Sequence, residues 1–197
     1  MENKKVYSAA DCEETGYACS LKNKVIVLSR NALPGDYPNQ LFFCSGGNGA
    51  NPNPMGRSVF LTSLSDGESY RFYRNDVIGA LKPELLPESA RLALAQIRPP
   101  DARSLKDHEP QYSGYCFLEN GKYNCGVWLC SPDEVKTYIE MQKPYQHKIM
   151  ICDRDDFCVF EMVQGKLIHP TQEELTKFEQ EQADSSQMGG MTNAQSM

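Results

Sequence analysis

The stretch that decides the fold is Tyr112–Gln142, YSGYCFLENGKYNCGVWLCSPDEVKTYIEMQ. Two strand-like segments, residues 112–119 and 122–130, flank Asn120-Gly121. Asn-Gly between such segments is the strongest short-range signal for a β-hairpin, because both central residues of a type I′ turn need positive φ. The stretch therefore predicts two antiparallel strands.

The same stretch predicts where a helix begins and which face it buries. Ser131-Pro132-Asp133-Glu134 is a capping box, in which Ser131 caps the helix, Pro132 is its first residue and Glu134 reaches back from the third position. Pro144 ends the helix. The inward stripe follows the helical period and consists of Val135, Tyr138, Ile139 and Gln142.

Three more strands follow this helix. Residues 147–152 and 157–163 are joined by the acidic turn 153–156, and Gln164-Gly165 turns the chain into residues 166–169. The second half of the chain, residues 112–170, therefore has the predicted order β-β-α-β-β-β.

The first half is predicted to be mostly antiparallel sheet followed by one helix. Pro34-Gly35 and Asp66-Gly67 are turn signals between its strand-like segments, which are residues 25–28, 41–44, 58–64 and 69–75. The helix has Pro87 near its first turn and ends at residues 98–100. Its apolar stripe consists of Leu86, Ala90, Ala93, Leu94 and Ile97.

These segments define an α+β protein of antiparallel sheets and hairpins, with two packed helices and an acidic C-terminal helix. Residues 1–24 form a polar arm, and the unpatterned, proline-bearing residues 99–111 are the predicted linker between the halves 25–98 and 112–170. Residues 171–197 are predicted to be an acidic helix, to about residue 182, and a disordered end.

Charge and hydropathy exclude some classes of protein. The 197 residues carry a net charge of -6, which argues against a surface that tracks a phosphate backbone. No apolar run is long enough to span a membrane, so no membrane partner is expected. The N-terminal residues lack the apolar core of a secretory signal. We therefore expect a cytoplasmic protein, with a bacterial or other reducing cytoplasm as the default.

The cysteines are predicted to be free thiols, because a chain of this length does not need a disulfide framework. They are Cys12, Cys19, Cys44, Cys116, Cys125, Cys130, Cys152 and Cys158. Their spacing includes no C-x2-C pair, and a zinc site assembled from strand cysteines and His147 stays open only as an alternative. No metal and no cofactor are predicted.

No catalytic residue is predicted either. A Cys or Ser nucleophile needs an aligned base, and the histidines lie in the linker, at His108, or at strand ends, at His147 and His169. A Cys-dependent enzyme using Cys44 or Cys130 is kept as an alternative. A solvated hairpin turn explains the remaining acidic cluster, Asp153, Asp155, Asp156 and Glu161.

The glycine- and proline-rich segment 45–57, SGGNGANPNPMGR, is predicted to contact a partner. It follows a strand, and its backbone N–H groups, assisted by Arg57 and Ser58, could form an anion nest. It lacks the Gly-Lys-Ser/Thr of a P-loop, and its prolines prevent a helix from starting there. Partner contact is therefore favoured over phosphate binding.

The strand around residues 70–74, YRFYR, interleaves aromatic and basic side chains. Arg71 and Tyr73 share one face, and Tyr70, Phe72 and Arg74 the other, as expected for an edge strand with one buried aromatic row. An RNA- or DNA-binding module is the alternative. The predicted partner-binding residues are Gly46, Gly47, Asn48, Gly49, Asn51, Arg57, Arg71, Tyr73 and Arg74.

Three stretches of the sequence resemble segments of known proteins. They are LFFCSGGNGANPNPMGRSVF (41–60), GALKPELLP (79–87) and the segment 112–162 from YSGYC to CVFEM. They resemble small uncharacterised accessory proteins of conjugative elements and plasmids of gut Firmicutes, over about residues 41–170. The resemblance includes no motif with assigned chemistry, so no functional residue is carried over.

The resemblance implies a genetic setting. Proteins in that setting often antagonise host defence, as anti-restriction and anti-CRISPR proteins do, by binding a nuclease or its nucleic acid. The expected function is a non-enzymatic accessory protein of a mobile genetic element that binds and inhibits a host nucleic-acid defence complex. The expected partner is a host or element-encoded protein, such as a nuclease–nucleic acid complex, and the oligomeric state is left open.

Overall fold

The computed structural model describes residues 5–14, 20–35, 37, 39–47, 58–171 and 173–174. These residues form two α-helices and two five-stranded sheets in which every strand pair is antiparallel. The α+β prediction is confirmed, with more sheet than helix. Of the predicted acidic helix, only residues 171, 173 and 174 are described, and its remainder lies outside the described residues together with the predicted disordered end.

The first sheet has the strand order β4-β3-β2-β1-β5. Its strands are β1 Val25–Leu28, β2 Leu41–Gly46, β3 Ser58–Ser63, β4 Ser69–Tyr73 and β5 Val77–Ala80. The sequence analysis did not predict β5, which is short and contains Gly79. A Cβ at Gly79 would lie 2.8 Å from Cβ of Cys12, so the glycine lets the N-terminal segment pass close to the strand.

The second sheet has the strand order β10-β9-β8-β6-β7. Its strands are β6 Tyr112–Phe117, β7 Val127–Leu129, β8 Lys148–Cys152, β9 Cys158–Val163 and β10 Lys166–His169. With α2 between β7 and β8, the predicted β-β-α-β-β-β order is confirmed.

The hairpin turn between β6 and β7 differs from the type I′ prediction. Gly121 has φ +79°, whereas Asn120 has no positive φ, and N–H of Gly121 donates to O of Leu118 at 2.9 Å. The turn is therefore an i→i+3 turn followed by a left-handed glycine, a three-residue hairpin loop that needs only one residue at positive φ.

The two helices are α1 Glu88–Ala95 and α2 Pro132–Gln142. Ser131 caps α2 as predicted, since its Oγ accepts from N–H of Glu134 at 3.2 Å. The second hydrogen bond of the predicted capping box, from the backbone N–H of Ser131 to the Glu134 side chain, is wrong. The Glu134 carboxylate instead accepts from N–H of Cys130 at 3.0 Å and pairs with the Arg98 guanidinium at 3.2 Å. Glu134 therefore ties the start of α2 to the end of the first half.

Helix α2 packs into the core on both sides. Tyr138, fully buried, lies with the second sheet, whereas Met141 and the nearby Tyr145 lie among side chains of the first sheet and α1. The opposite face of the first sheet is covered by the segment between β1 and β2, through Leu33 and Tyr37. Residues 99–111 contain neither helix nor strand, and the segments on either side of them share a core.

Backbone carbonyls of α1 accept hydrogen bonds from side chains of the second half. The last four carbonyls of a helix have no partner inside it, and three of them, at Leu92, Leu94 and Ala95, accept from these side chains. Leu94 O also accepts from N–H of Ile97 at 3.0 Å, and Arg91 O lies one residue before the last four. The pairs are Gln146 Nε2 with Arg91 O at 3.0 Å, Asn124 Nδ2 with Leu92 O at 2.8 Å, Gln142 Nε2 with Leu94 O at 3.0 Å, and Tyr138 Oη with Ala95 O at 2.8 Å.

In the part of the chain that the structure describes, neither helix has the length and apolar character that crossing a bilayer requires.

Replacing Tyr145 by Phe tests the junction between the halves. The Tyr145 hydroxyl accepts from N–H of Val25 at 2.9 Å in the buried core. Tyr145→Phe leaves that N–H without a partner, and we expect the free energy of unfolding to fall by about 1–3 kcal/mol, measured by urea denaturation. Tyr123→Phe is the matched control, because Tyr123 is 60% exposed. If the two variants were equally stable, the buried hydrogen bond between Val25 and Tyr145 would be contradicted.

Candidate protein-interaction surface

Strand β4 lies at the end of the first sheet. Among the described residues, one side of its backbone has no neighbouring strand. Its five residues pair with β3 without any shift in register, from Thr62 opposite Ser69 to Ser58 opposite Tyr73. A regular strand edge presents a row of unpaired N–H and C=O groups, which is a template for another strand.

The hydrogen-bond alternation decides which backbone groups face outward. N–H of Ser63 donates to O of Glu68 at 3.0 Å, next to the first pair of the ladder. Because hydrogen-bonded and non-hydrogen-bonded pairs alternate in an antiparallel ladder, Tyr70 and Phe72 bond to β3. The backbone groups of Ser69, Arg71 and Tyr73 therefore point away from β3.

The end of the strand agrees with this assignment. N–H of Tyr73 donates to the Asp76 carboxylate at 2.9 Å, so it points away from β3 and is already satisfied. The N–H and C=O of Arg71 then lie at the middle of the open edge. A partner strand would find its hydrogen bonds there.

In the part of the chain that the structure describes, two aromatic side chains and one cation flank this edge. Phe60 is 50% exposed and lies opposite Arg71, and Tyr73 is 51% exposed and lies opposite Ser58. Nε of Arg71 donates to Oγ of Ser58 at 2.8 Å, which holds the guanidinium over β3. We call Ser58, Phe60, Ser69, Arg71 and Tyr73 the β4-edge surface.

The predicted contact residues divide into three groups. Arg71 and Tyr73 are exposed on one face, as the alternation predicted. Gly46 and Gly47 lie at the end of β2, on the far side of β3 from β4, where Gly46 pairs with Phe60. Gly47 has φ +90°, and a Cβ there would lie 2.5 Å from O of Ser58. The other predicted loop residues, Asn48, Gly49, Asn51 and Arg57, lie outside the described residues.

Arg74 is not part of the exposed surface. The chain leaves β4 at Tyr73 and enters a 3₁₀ turn over Arg74–Asp76, and the Arg74 side chain is directed inward. It is 6% exposed and donates from Nη1 to O of Val77 at 3.3 Å. Arg74 therefore stabilises the turn between β4 and β5.

Phe60 was missed among the contact residues. The segment 58–63, SVFLTS, carried the signal, because Val59 and Leu61 both face inward and a strand directs alternate side chains to opposite faces. A phenylalanine between two buried aliphatic residues of a strand is expected on the outer face.

The rings of Tyr70 and Phe72 pack inward. Both lie edge-on to the ring of Phe42, at centroid distances of 6.0 and 5.7 Å. Of the aromatic row of β4, these two rings are thus part of the core and are not available to stack on bases. Among the described residues, the surface that remains on the outer face has one cation, Arg71, and favours nucleic-acid binding less than protein binding.

The cysteines kept as possible nucleophiles differ in their surroundings. Cys44 is fully buried, and burial raises its pKa to about 11. Sγ of Cys130 borders a cavity of about 450 Å³, 3.9 Å from Nη2 of Arg98 and 3.7 Å from O of His108. The His108 imidazole faces Nη1 of Arg103 at 3.4 Å. Within the described residues, neither an imidazole nor a carboxylate hydrogen-bonds to the Cys130 thiol, as a general base would.

The acidic turn after β8 is organised by its own backbone. One carboxylate oxygen of Asp153 accepts from N–H of Asp155 at 3.0 Å and of Phe157 at 2.9 Å. Among the described residues, no three or more His, Cys, Asp and Glu side chains lie together as a group that could hold a metal ion.

Comparisons with known proteins yielded no relative: no protein family, no curated protein and no solved structure matches this chain.

Gly47→Ala tests the backbone next to the β4-edge surface. A Cβ at this left-handed position, 2.5 Å from O of Ser58, should lower the free energy of unfolding by about 1–3 kcal/mol in urea denaturation. Gly46→Ala is the matched control, because its two chain neighbours aside, none of the described residues places an atom within 4 Å of its Cβ position. If Gly47→Ala were as stable as Gly46→Ala, the close approach of Gly47 to Ser58 and its left-handed backbone would be refuted.

Alkylation of the native thiols tests the enzyme alternative. With iodoacetamide and peptide mass spectrometry, we expect the partly exposed Cys130 to react no faster than the exposed Cys125. Cys44 and Cys116 should react only after unfolding, because burial raises their pKa values to about 11 and about 12. A Cys130 rate more than about tenfold above that of Cys125 would instead favour an activated nucleophile.

Proposed function

We propose that this chain is a non-catalytic binding protein that takes up an extended segment of a partner protein as an added strand on β4. The observation that carries the proposal is the open, regular edge at Arg71, whose backbone N–H and C=O point away from β3. An extended peptide satisfies such groups with main-chain hydrogen bonds and gains specificity from alternate side chains.

The side chains around the edge support a particular partner chemistry. The half-exposed rings of Phe60 and Tyr73 favour an apolar side chain on the incoming strand, and Arg71 favours an acidic one. A second copy of β4 fits less well, because antiparallel two-fold pairing centred on Arg71 places two arginines directly opposite each other. A different protein with an acidic and apolar extended segment is therefore the proposed partner.

A narrower proposal concerns the biological setting. The resemblance of residues 41–170 to accessory proteins of conjugative elements supports a partner from a host complex that handles nucleic acid. Binding would then inhibit a defence nuclease, as anti-CRISPR and anti-restriction proteins do. This narrower proposal depends on the resemblance and not on the geometry of the β4-edge surface.

Arg71→Pro tests strand addition. Proline removes the outward N–H and places its ring at the edge, and edge strands tolerate it where the N–H faces away from the ladder. We expect affinity capture from a nuclease-treated lysate of a gut Firmicute to recover a protein partner with the wild-type chain. Binding to the purified partner should weaken at least about tenfold in Arg71→Pro and less in Arg71→Ala, which keeps the N–H.

Two further measurements make the experiment decisive. Lys166→Ala, on the edge strand of the other sheet, should bind like the wild type, and circular dichroism should show that Arg71→Pro is folded. Undiminished binding by a folded Arg71→Pro would refute strand addition. Recovery of nucleic acid alone, with an affinity that falls steeply with added salt, would favour the RNA- or DNA-binding alternative.

A further inference from the structure

Cys152 and Cys158 lie opposite each other across the β8–β9 hairpin. Cys152 is the last residue of β8, Cys158 is the first residue of β9, and the two are register partners. A β-bulge precedes the pair, because the register shifts between Ile151 and Cys152. Both thiols are free in this structure.

The turn that follows defines the type of pair. N–H of Asp153 donates to O of Phe157 at 2.9 Å, so the pair next to the cysteines is hydrogen-bonded. Cys152 and Cys158 are then a non-hydrogen-bonded pair, in which Cα atoms lie about 4.5 Å apart and the side chains leave on the same face. A disulfide requires a Cα separation of about 4.4–6.8 Å. The Cα separation typical of such a pair is compatible with a bond between the two sulfurs, and the Cys158 thiol would give up its hydrogen bond to O of Phe160 to form it.

The two thiols differ in access to solvent. Cys152 is 5% exposed, whereas Cys158 is half-buried and donates from Sγ to O of Phe160 at 3.4 Å. Burial raises the pKa of Cys152, and the charge of Cys158 raises it further, as expected for adjacent thiols. Cys158 is thus the thiol that a solvent-borne reagent reaches first, and Cys152 lies beside it.

We propose that Cys152 and Cys158 form a redox modification site that a low-molecular-weight disulfide, such as glutathione disulfide, oxidises to a cross-strand disulfide. The Cys158 thiolate attacks one sulfur of the reagent and expels one thiolate. The Cys152 thiol loses its proton to solvent, and its sulfur attacks the Cys158 sulfur and expels the second thiolate. Two protein thiols are oxidised, and one reagent disulfide is reduced to two thiols.

The disulfide would fix one end of the second sheet. The turn that it closes includes Arg154, which pairs with Glu109 of the segment 99–111 at 3.2 Å, and Phe157, which is 70% exposed. A disulfide lowers the conformational entropy of the unfolded chain, and it therefore stabilises the folded hairpin relative to the unfolded state. This site is independent of the β4-edge surface.

Trypsin provides a direct assay, because it cleaves after Arg154, between the two cysteines. After incubation of the full chain with glutathione disulfide, non-reducing digestion should yield peptide 149–154 disulfide-linked to peptide 155–166, and dithiothreitol should separate them. Cys152→Ser should instead accumulate a glutathione adduct on Cys158, because the second thiol is missing. Cys125→Ser, which removes an exposed thiol elsewhere, should form the linked peptides like the wild type.

Stability gives a second readout. Oxidation should raise the Tm of the wild type by a few degrees and leave that of Cys158→Ser unchanged. The proposal is overturned if the linked peptides are absent under conditions that fully modify Cys125. It is also overturned if the wild type carries the same Cys158 adduct as Cys152→Ser.

Discussion

The capping of α1 by side chains of the second half is the interaction on which the rest of the structure depends. A two-turn helix such as Glu88–Ala95 is too short to be stable alone, and its last carbonyls need donors in a site from which water is excluded. The fully buried Tyr138 of α2 supplies the donor for Ala95 O. The fully buried Gln142 adds a second donor to Leu94 O, which also accepts from N–H of Ile97. Because α2 itself begins at a cap tied to Arg98, both ends of the connection between the halves are fixed. The two sheets consequently fold around one pair of helices.

Local signals in the sequence predict the local parts of this architecture. Ser131 and Pro132 mark the start of α2 because a helix N-terminus needs an acceptor and tolerates proline, and Gly121 marks the hairpin because the turn needs a left-handed residue. The long-range parts leave no such signal. Gln142 and Leu94 are 48 residues apart, and nothing in the sequence near Gln142 indicates that its amide satisfies α1. β5 was missed for the same reason, because the need for Gly79 comes from the distant Cys12.

For the candidate surface too, the sequence predicts the local features and not the long-range ones. The alternation along β4 predicted the outward Arg71 and Tyr73, since strand periodicity is a property of the segment itself. The same alternation places Arg74 on the inward face with Tyr70 and Phe72, and its side chain is buried. The choice of Arg74 as a contact residue therefore did not follow from the periodicity. Which backbone groups of β4 point outward depends on pairing with β3, and that pairing follows from register and not from composition. Strand order likewise could not be read from the residues.

In the part of the chain that the structure describes, β4 differs from the other edge strands because they are covered, short or bulged. The N-terminal segment covers β5, because the backbone N–H of Glu13 donates to O of Ala80 at 2.8 Å and Cys12 forms an antiparallel β-bridge with Leu81. β7 has only three residues, and β10 has a register shift against β9, and short or bulged edges resist the addition of a strand. β4 has five residues in unbroken register. Folded proteins usually protect such edges, so an edge left regular and flanked by exposed aromatic rings is the feature of the described residues that supports the proposed addition of a partner strand.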